Sequence, residues 1–211
     1  MKVILVNGSP KEKGCTYTAL LEVAGALEQN GVETEIFWIG NKPISGCIDC
    51  RVCRTGATAG KGCPIDKLVN NFAEIAEGAD GFVFGSPVHY AGASGGITSF
   101  MDRLFFAHGH KFKCKPACAV MSLRRGGASA TFDQLNKYFT ICQMPIITSN
   151  YWNMVHGNTP DQVKKDTEGL QTMRILGNNM AWILKCIQVG KDANINFPEG
   201  EKKIYMNYIR D

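Results

Sequence analysis

Short apolar runs alternate with amphipathic stretches five times along this chain, and that alternation is its strongest constraint. Val3-Ile4-Leu5-Val6 opens the series; the runs at 35–39, 81–85, 117–122 and 144–148 continue it. Between and after them, apolar residues recur at helical spacing: Leu20, Val23, Ala24 and Leu27, then stretches at 66–77, 94–106, 131–141 and 161–186. Strands that read as apolar throughout are buried on both faces, and crossover helices supply the cover. The expected architecture is therefore α/β, a doubly wound parallel sheet with helices on both faces. The last stripe (Leu170, Met173, Leu176, Met180, Ile183, Ile187) is core packing first and a subunit seam second.

Composition narrows the function classes. The chain has 211 residues, enough for one ordinary domain, with 45% hydrophobic and 20% charged residues. A net charge of +4 with no Lys/Arg block gives no sign of a nucleic-acid partner. No apolar stretch approaches about 18 residues, so no membrane span is expected. The N-terminal strand begins at Lys2 without a leader pattern, which points to the cytoplasm. Residues 1–188 read as one domain and 189–211 as a C-terminal tail serving as an oligomer arm.

Open α/β sheets bind ligands beyond the carboxyl ends of their strands. Three turns at such ends have unusual chemistry: 7–18, 86–96 and 124–127. In the first, Ser9, Lys11, Thr16, Tyr17 and Thr18 surround the start of a helix, whose unpaired N–H groups favour an anion. Neither GxxxxGK[ST] nor GxGxxG fits the run, so the loop suits a single terminal phosphate such as that of FMN. Ser9 and Thr16 as simple helix caps are the competing reading. In the second turn, Pro87, Val88, His89, Tyr90 and Gly92 let backbone amides approach the polar edge of a flat ring, with His89 or Tyr90 against its face. In the third, Arg124 and Arg125, followed by Gly126 and Gly127, place positive charge where a reduced ring gains negative charge.

GSPKEKGCTYTALL and GSPVHYAGASGGITSFMDR, with the five-strand pattern, resemble the NADPH-dependent FMN reductase family of flavodoxin-like proteins. The resemblance spans residues 1–187 and implies a five-stranded sheet of order 2-1-3-4-5. It also implies FMN held by Ser9, Lys11, Thr16, Tyr17 and Thr18 at the phosphate, and by Pro87, Val88, His89, Tyr90 and Gly92 at the ring. Cys15 stands where the family usually has asparagine, and Thr98 where it has lysine. Asp102-Arg103 is retained, and on its own reads as a helix-end ion pair.

Nine cysteines are many for a reducing compartment, so their clustering suggests metal or redox chemistry. Cys15, Cys114, Cys118, Cys142 and Cys186 are scattered and read as small buried hydrophobes. Cys47, Cys50, Cys53 and Cys63, at intervals of two, two and nine, resemble the compact motif of the iron–sulfur flavoprotein branch. The resemblance implies a [4Fe–4S] cluster, with Gly56, Ala57, Ala59, Gly60 and Gly62 absorbing the long last interval. Two other readings stand beside it: a zinc site, and no metal at all, with Cys47 and Cys50 packing the loop. His108 and His110 read as surface residues.

The resulting expectation is an FMN-dependent oxidoreductase with no indispensable acid or base. It passes electrons from NAD(P)H through FMN to a quinone, a flavin, a metal oxyanion or a redox protein, as a homodimer or homotetramer. An iron–sulfur flavoprotein electron carrier reduced by ferredoxin is the first alternative, and a flavin-free interaction module the second.

Overall fold

The computed structural model describes residues 1–55, 59–206 and 208–209. Five strands form a parallel sheet in the order β2-β1-β3-β5-β6, and a sixth, β4, pairs only with β3. They are β1 (Lys2–Asn7), β2 (Glu33–Trp38), β3 (Gly81–His89), β4 (Gly92–Ala93), β5 (Ala117–Leu123) and β6 (Met154–His156). The helices are α1 (Cys15–Gln29), α2 (Leu68–Ile75), α3 (Gly95–His108), α4 (Ala128–Ile141), α5 (Pro160–Val163) and α6 (Thr167–Asp192). With β4 set aside this is the expected 2-1-3-4-5 order.

Side chains alternate across the sheet and feed two separate cores. Val3, Leu5, Val83 and Val120 pack against α1 and α6. Ile4, Val6, Phe82, Phe84, Ala119 and Met121 pack against α2, α3 and α4. The second core is an aromatic cluster centred on Phe72 of α2. Its ring lies 4.9 Å from Phe37, 5.3 Å from Phe100 and 6.4 Å from the stacked ring of Phe112.

Three expectations need correcting. β3 does not stop at Gly85; it continues through Ser86 and Pro87 to His89 and turns back into β4. The fifth strand is not 144–148. That run makes only an isolated bridge, Ala117↔Ile146, and the true strand is Met154–His156 beside Met121–Leu123. Pro145 has no N–H to give, although its carbonyl accepts from Ala117 at 2.9 Å. Between bridge and strand, buried Asn153 fills the gap: its carbonyl accepts from Met121 N and its amide donates to Ala119 O.

The third correction concerns the final helix, which is two. Thr159 caps α5, and Asp166 caps α6 by accepting from Gly169 N at 3.0 Å. α6 continues to Asp192, beyond position 188, and residues 194–206 follow without helix or strand. No helix among the described residues is long and apolar enough to cross a membrane.

Candidate functional site

The turn between β1 and α1 is shaped by its own polar groups. Asn7 Oδ1 accepts from Ser9 N, and Asn7 Nδ2 donates to Glu12 O at 2.8 Å. Ser9 is buried; its Oγ accepts from Lys11 N, and its carbonyl accepts from the Trp38 indole at 2.7 Å. Trp38 ends β2, so the neighbouring strand also braces the turn.

Ser9 and Thr16 do not cap α1. Its N-cap is Gly14, and no side chain accepts from its first turn. Thr16 is buried with Oγ1 2.8 Å from Ser122 Oγ, and Thr18 Oγ1 donates back to Gly14 O. The amides of Cys15, Thr16 and Tyr17 precede the first intrahelical bond, which Thr18 N makes to Gly14 O. That is the donor set a terminal phosphate needs, with exposed Lys11 beside it. The residues fit FMN's phosphate through backbone amides more than through the threonine hydroxyls.

The second and third turns are in contact. β3 and β4 form a hairpin whose tip is Tyr90 (φ 48°) and Ala91 (φ 61°), both left-handed, as a tight two-residue turn requires. Tyr90 is fully exposed and His89 is exposed beside it. Gly127 lies against this tip at φ 94°; a Cβ there would stand 2.4 Å from Ala91 Cα and 2.8 Å from Val88 Cγ1. Gln134 Oε1 accepts from Ala93 N and ties α4 to the hairpin. Ser94 Oγ donates to Gly8 O, and Ser94 N donates to Ser86 Oγ, so the first and second turns are joined as well. Arg124, Arg125 and Gly126 are exposed, and among the described residues neither arginine has an ion-pair partner.

Sequence reading missed a fourth segment of this rim. β6 ends at His156, and Gly157 O lies 3.6 Å from the Cys15 thiol at the start of α1. Misplacing the fifth strand hid that approach. The bracing roles of Trp38, Ser94 and Ser122 were also unread, because each depends on a contact distant in sequence, and those of Asn7 and Ser86 because side-chain direction within a turn is not visible in sequence.

The cysteine loop packs along α3, where Arg54 Nε donates to Phe106 O at 2.8 Å. Cys47 and Cys50 are exposed, whereas Cys53 and Cys63 are buried, the reverse of a loop packed by its first two cysteines. Gly56 and Ala57 fall outside the described residues. Burial pushes the Cys53 thiol up, and the neighbouring Cys63 and Cys50 add to the effect. Asn70 clamps Cys63 by accepting from its N–H and donating to its carbonyl, both at 2.8 Å. His108 is buried against the same Asn70 and not on the surface; His110 is exposed. Gly62 adopts φ 96°, and a Cβ there would lie 2.4 Å from Asn70 Oδ1, so glycine suits the position on both counts.

Arg103 completes this corner, and its partner is not Asp102. Nη1 donates to Asp66 Oδ2 at 2.6 Å and to Ser45 O, and Nε donates to Cys63 Sγ at 3.3 Å. Asp102 instead accepts from Tyr138. Nη2 of Arg103 is buried without a partner. Among the described residues no three His, Cys, Asp or Glu side chains converge to hold a metal ion. The donor set nonetheless fits a four-thiolate iron–sulfur centre: Cys53 and Cys63 are buried in the same core cluster, and Arg103, which donates to Cys63 Sγ, carries an orphaned cationic N–H. Of the scattered cysteines only Cys118 is fully buried, and Cys186 is exposed.

The Asp66–Arg103 pair carries a pH prediction. The hydrogen bond from Arg103 holds the Asp66 carboxyl below its usual range. A depressed carboxyl stabilises the fold above its unfolded value of about 4 and loses that contribution as pH falls through the folded value. Asp66→Asn should therefore melt below the wild type at pH 6, and the two melting curves should converge as pH drops below about 4. A constant gap between them across that range would show that the pair is not linked to proton uptake.

Comparisons with known proteins converge on one group. Residues 1–159 match the family profile described as NADPH-dependent FMN reductase. An iron–sulfur flavoprotein of Methanocaldococcus jannaschii is 34% identical over 196 residues, spanning 89% of this chain and all of that protein. Among solved structures, RosB with bound 8-demethyl-8-formylriboflavin-5'-phosphate superposes with a TM-score of 0.68 at 13% identity, covering 100% of this chain and 94% of that one. A flavodoxin from the domain Archaea gives a TM-score of 0.59 at 14% identity over 88% of this chain and 99% of its own. At those identities the two structures speak for the flavodoxin-like fold.

Proposed function

The chain belongs to the NADPH-dependent FMN reductase family, and from that premise we propose that it carries electrons between NAD(P)H and a second acceptor through FMN held at the sheet's carboxyl rim. The acceptor class is a quinone, a free flavin, a metal oxyanion or a redox protein. The single observation that supports this most is the uncapped start of α1 facing a rim where the neighbouring turns touch one another.

FMN, when bound, supplies the redox chemistry itself. The chain's part is to hold and tune it. The Cys15, Thr16 and Tyr17 amides take the phosphate, Asn7 and Trp38 keep their turn in shape, and Lys11 adds charge. Amides of the 87–92 hairpin meet the polar edge of the ring, and exposed His89 and Tyr90 cover its face. Arg124 and Arg125, beside Gly126 and Gly127, favour the more negative reduced ring. No side chain is assigned as an indispensable acid or base.

A second reading is favoured by the cysteine corner: Cys47, Cys50, Cys53 and Cys63 hold a [4Fe–4S] centre, and the chain is an electron carrier reduced by a ferredoxin. Exposed apolar residues along α6 and the tail, Trp182, Val189, Ile204 and Tyr205, support assembly as a homodimer or homotetramer. The deciding experiment is anaerobic purification followed by a visible spectrum, iron and sulfide analysis, and reduction by NADPH or by reduced ferredoxin. The proposal expects a stoichiometric yellow flavin reduced by at least one of the two donors. Stoichiometric iron with slow NADPH reduction selects the carrier. Colourless protein that takes up no FMN contradicts both readings.

A further inference from the structure

We propose that Arg103 is the positioning residue of the cysteine loop, offering one edge of its guanidinium to two sulfur acceptors, Cys63 through Nε and a second sulfur of the same iron–sulfur centre through Nη2. The inference rests on the four-thiolate reading above and assigns a role to a side chain outside the cysteine motif.

Arg103 sits on α3 and is 1% exposed, which is rare for an arginine unless its donors are met. Two acceptors take Nη1, Asp66 Oδ2 and Ser45 O, and these lie on the edge away from Cys63. The opposite edge carries Nε–H and one Nη2–H side by side, a rigid fork that points both hydrogens the same way. Cys63 Sγ accepts from Nε at 3.3 Å, while Nη2 is buried and has no partner. A buried cationic donor without an acceptor is costly, so the empty tine marks where one belongs. Because the tines are parallel, that acceptor lies next to Cys63 Sγ.

The chemistry of the acceptor follows from its neighbours. Cys53 is buried in the same core cluster as Cys63, so sulfur is the element at hand. Either a converging cysteine thiolate or an inorganic sulfide satisfies a charged N–H. Asp66 and the Asn70 clamp fix the two sides, Arg103 and Cys63, before anything binds. This corner is built in advance; exposed Cys47 and Cys50 are the ligands that must swing in. Hydrogen bonds from a cation to the sulfurs favour the more negative, reduced state of such a centre and raise its potential.

The test compares anaerobically purified full-length wild type, Arg103→Gln, Arg103→Lys and Asp66→Asn, each assayed for FMN, iron and sulfide, with the midpoint potential followed by EPR. In Arg103→Gln, FMN content holds while the reduction equilibrium weakens at least tenfold, a drop of about 59 mV for one electron, or iron is lost. Arg103→Lys restores the charge without the fork and falls between the two. Asp66→Asn loosens the far edge of the guanidinium and gives a smaller loss in the same direction as Arg103→Gln. Should Arg103→Gln lose FMN together with iron through misfolding, Arg103→Lys decides. An iron-loaded wild type with unchanged iron and potential in the Arg103 variants overturns the inference and leaves the four-thiolate reading standing. A wild type that binds FMN but no iron or sulfide overturns that reading, and the inference falls with it.

Discussion

Gly127→Ala is expected to weaken FMN binding at least tenfold, equivalent to about 1.4 kcal/mol, and to lower stability by roughly 2–4 kcal/mol. Two penalties add at this position. Its φ of 94° lies where an L side chain is strained, and its Cβ would stand 2.4 Å from the Ala91 backbone. Backbone cannot rotate away as a long side chain can, so the Val88–Gly92 hairpin and the Arg124–Gly127 turn must part. Both are assigned to the ring, and separating them opens the surface on which it would lie. Gly126 is the control for stability: a Cβ there meets nothing within 4 Å, and Gly126→Ala should change stability by no more than about 0.5 kcal/mol. FMN titration followed by fluorescence, with thermal melts on the same samples, reads both quantities. Equal behaviour of the two variants would show that the contact between these turns is not needed.

Phe72→Ala is expected to cost about 3–5 kcal/mol, which for a domain of this size lowers the melting temperature by roughly 6–20 °C. The ring is fully buried and lies within 6.4 Å of five others, those of Phe37, Phe82, Phe84, Phe100 and Phe112. Its consequence for the cysteine loop follows from its helix. α2 also carries Asn70, the clamp on Cys63, and the helix is short, with only Val69, Phe72 and Ala73 buried along it. Losing the anchor should loosen α2 before the sheet. Hydrogen exchange should therefore rise first at 63–75 and leave β1 and β3 protected. Uniform loss of protection would instead mean that α2 unfolds only with the whole domain.

Much of this architecture was legible because burial on both faces leaves a plain signature. Val3-Ile4-Leu5-Val6 and Ala117 to Met121 are apolar without interruption, and each is a central strand. The edge strand failed for the same physical reason in reverse. At the edge, pairing needs only three residues, Met154–His156, while the more strand-like run around Ile146 is interrupted by Pro145. The division of the final helix was marked by Asp166 three residues before Gly169, a cap signal outweighed by the regular apolar stripe.

At the site, residue types pointed to three loops that the fold brings into contact, but not to their side-chain directions. Ser9 and Thr16 are equally plausible as caps or as phosphate ligands from sequence. In the fold neither caps α1: Thr16 Oγ1 shares a hydrogen bond with Ser122 Oγ, and Ser9 Oγ accepts from Lys11 N, which leaves its O–H uncommitted by that bond. The partners of Trp38 and Arg103 could not be found from local pattern. Trp38 reaches the first turn from the neighbouring strand, and Arg103 reaches Cys63 from α3.

The account depends most on where the phosphate lies, and a crystal structure of the chain with FMN bound reads that directly. The account predicts phosphate oxygens within about 2.7–3.2 Å of the Cys15, Thr16 and Tyr17 amides, with the ring between the Val88–Gly92 hairpin and the Arg124–Gly127 turn. A phosphate held away from the start of α1, or a ring lodged beyond those two segments, would contradict it.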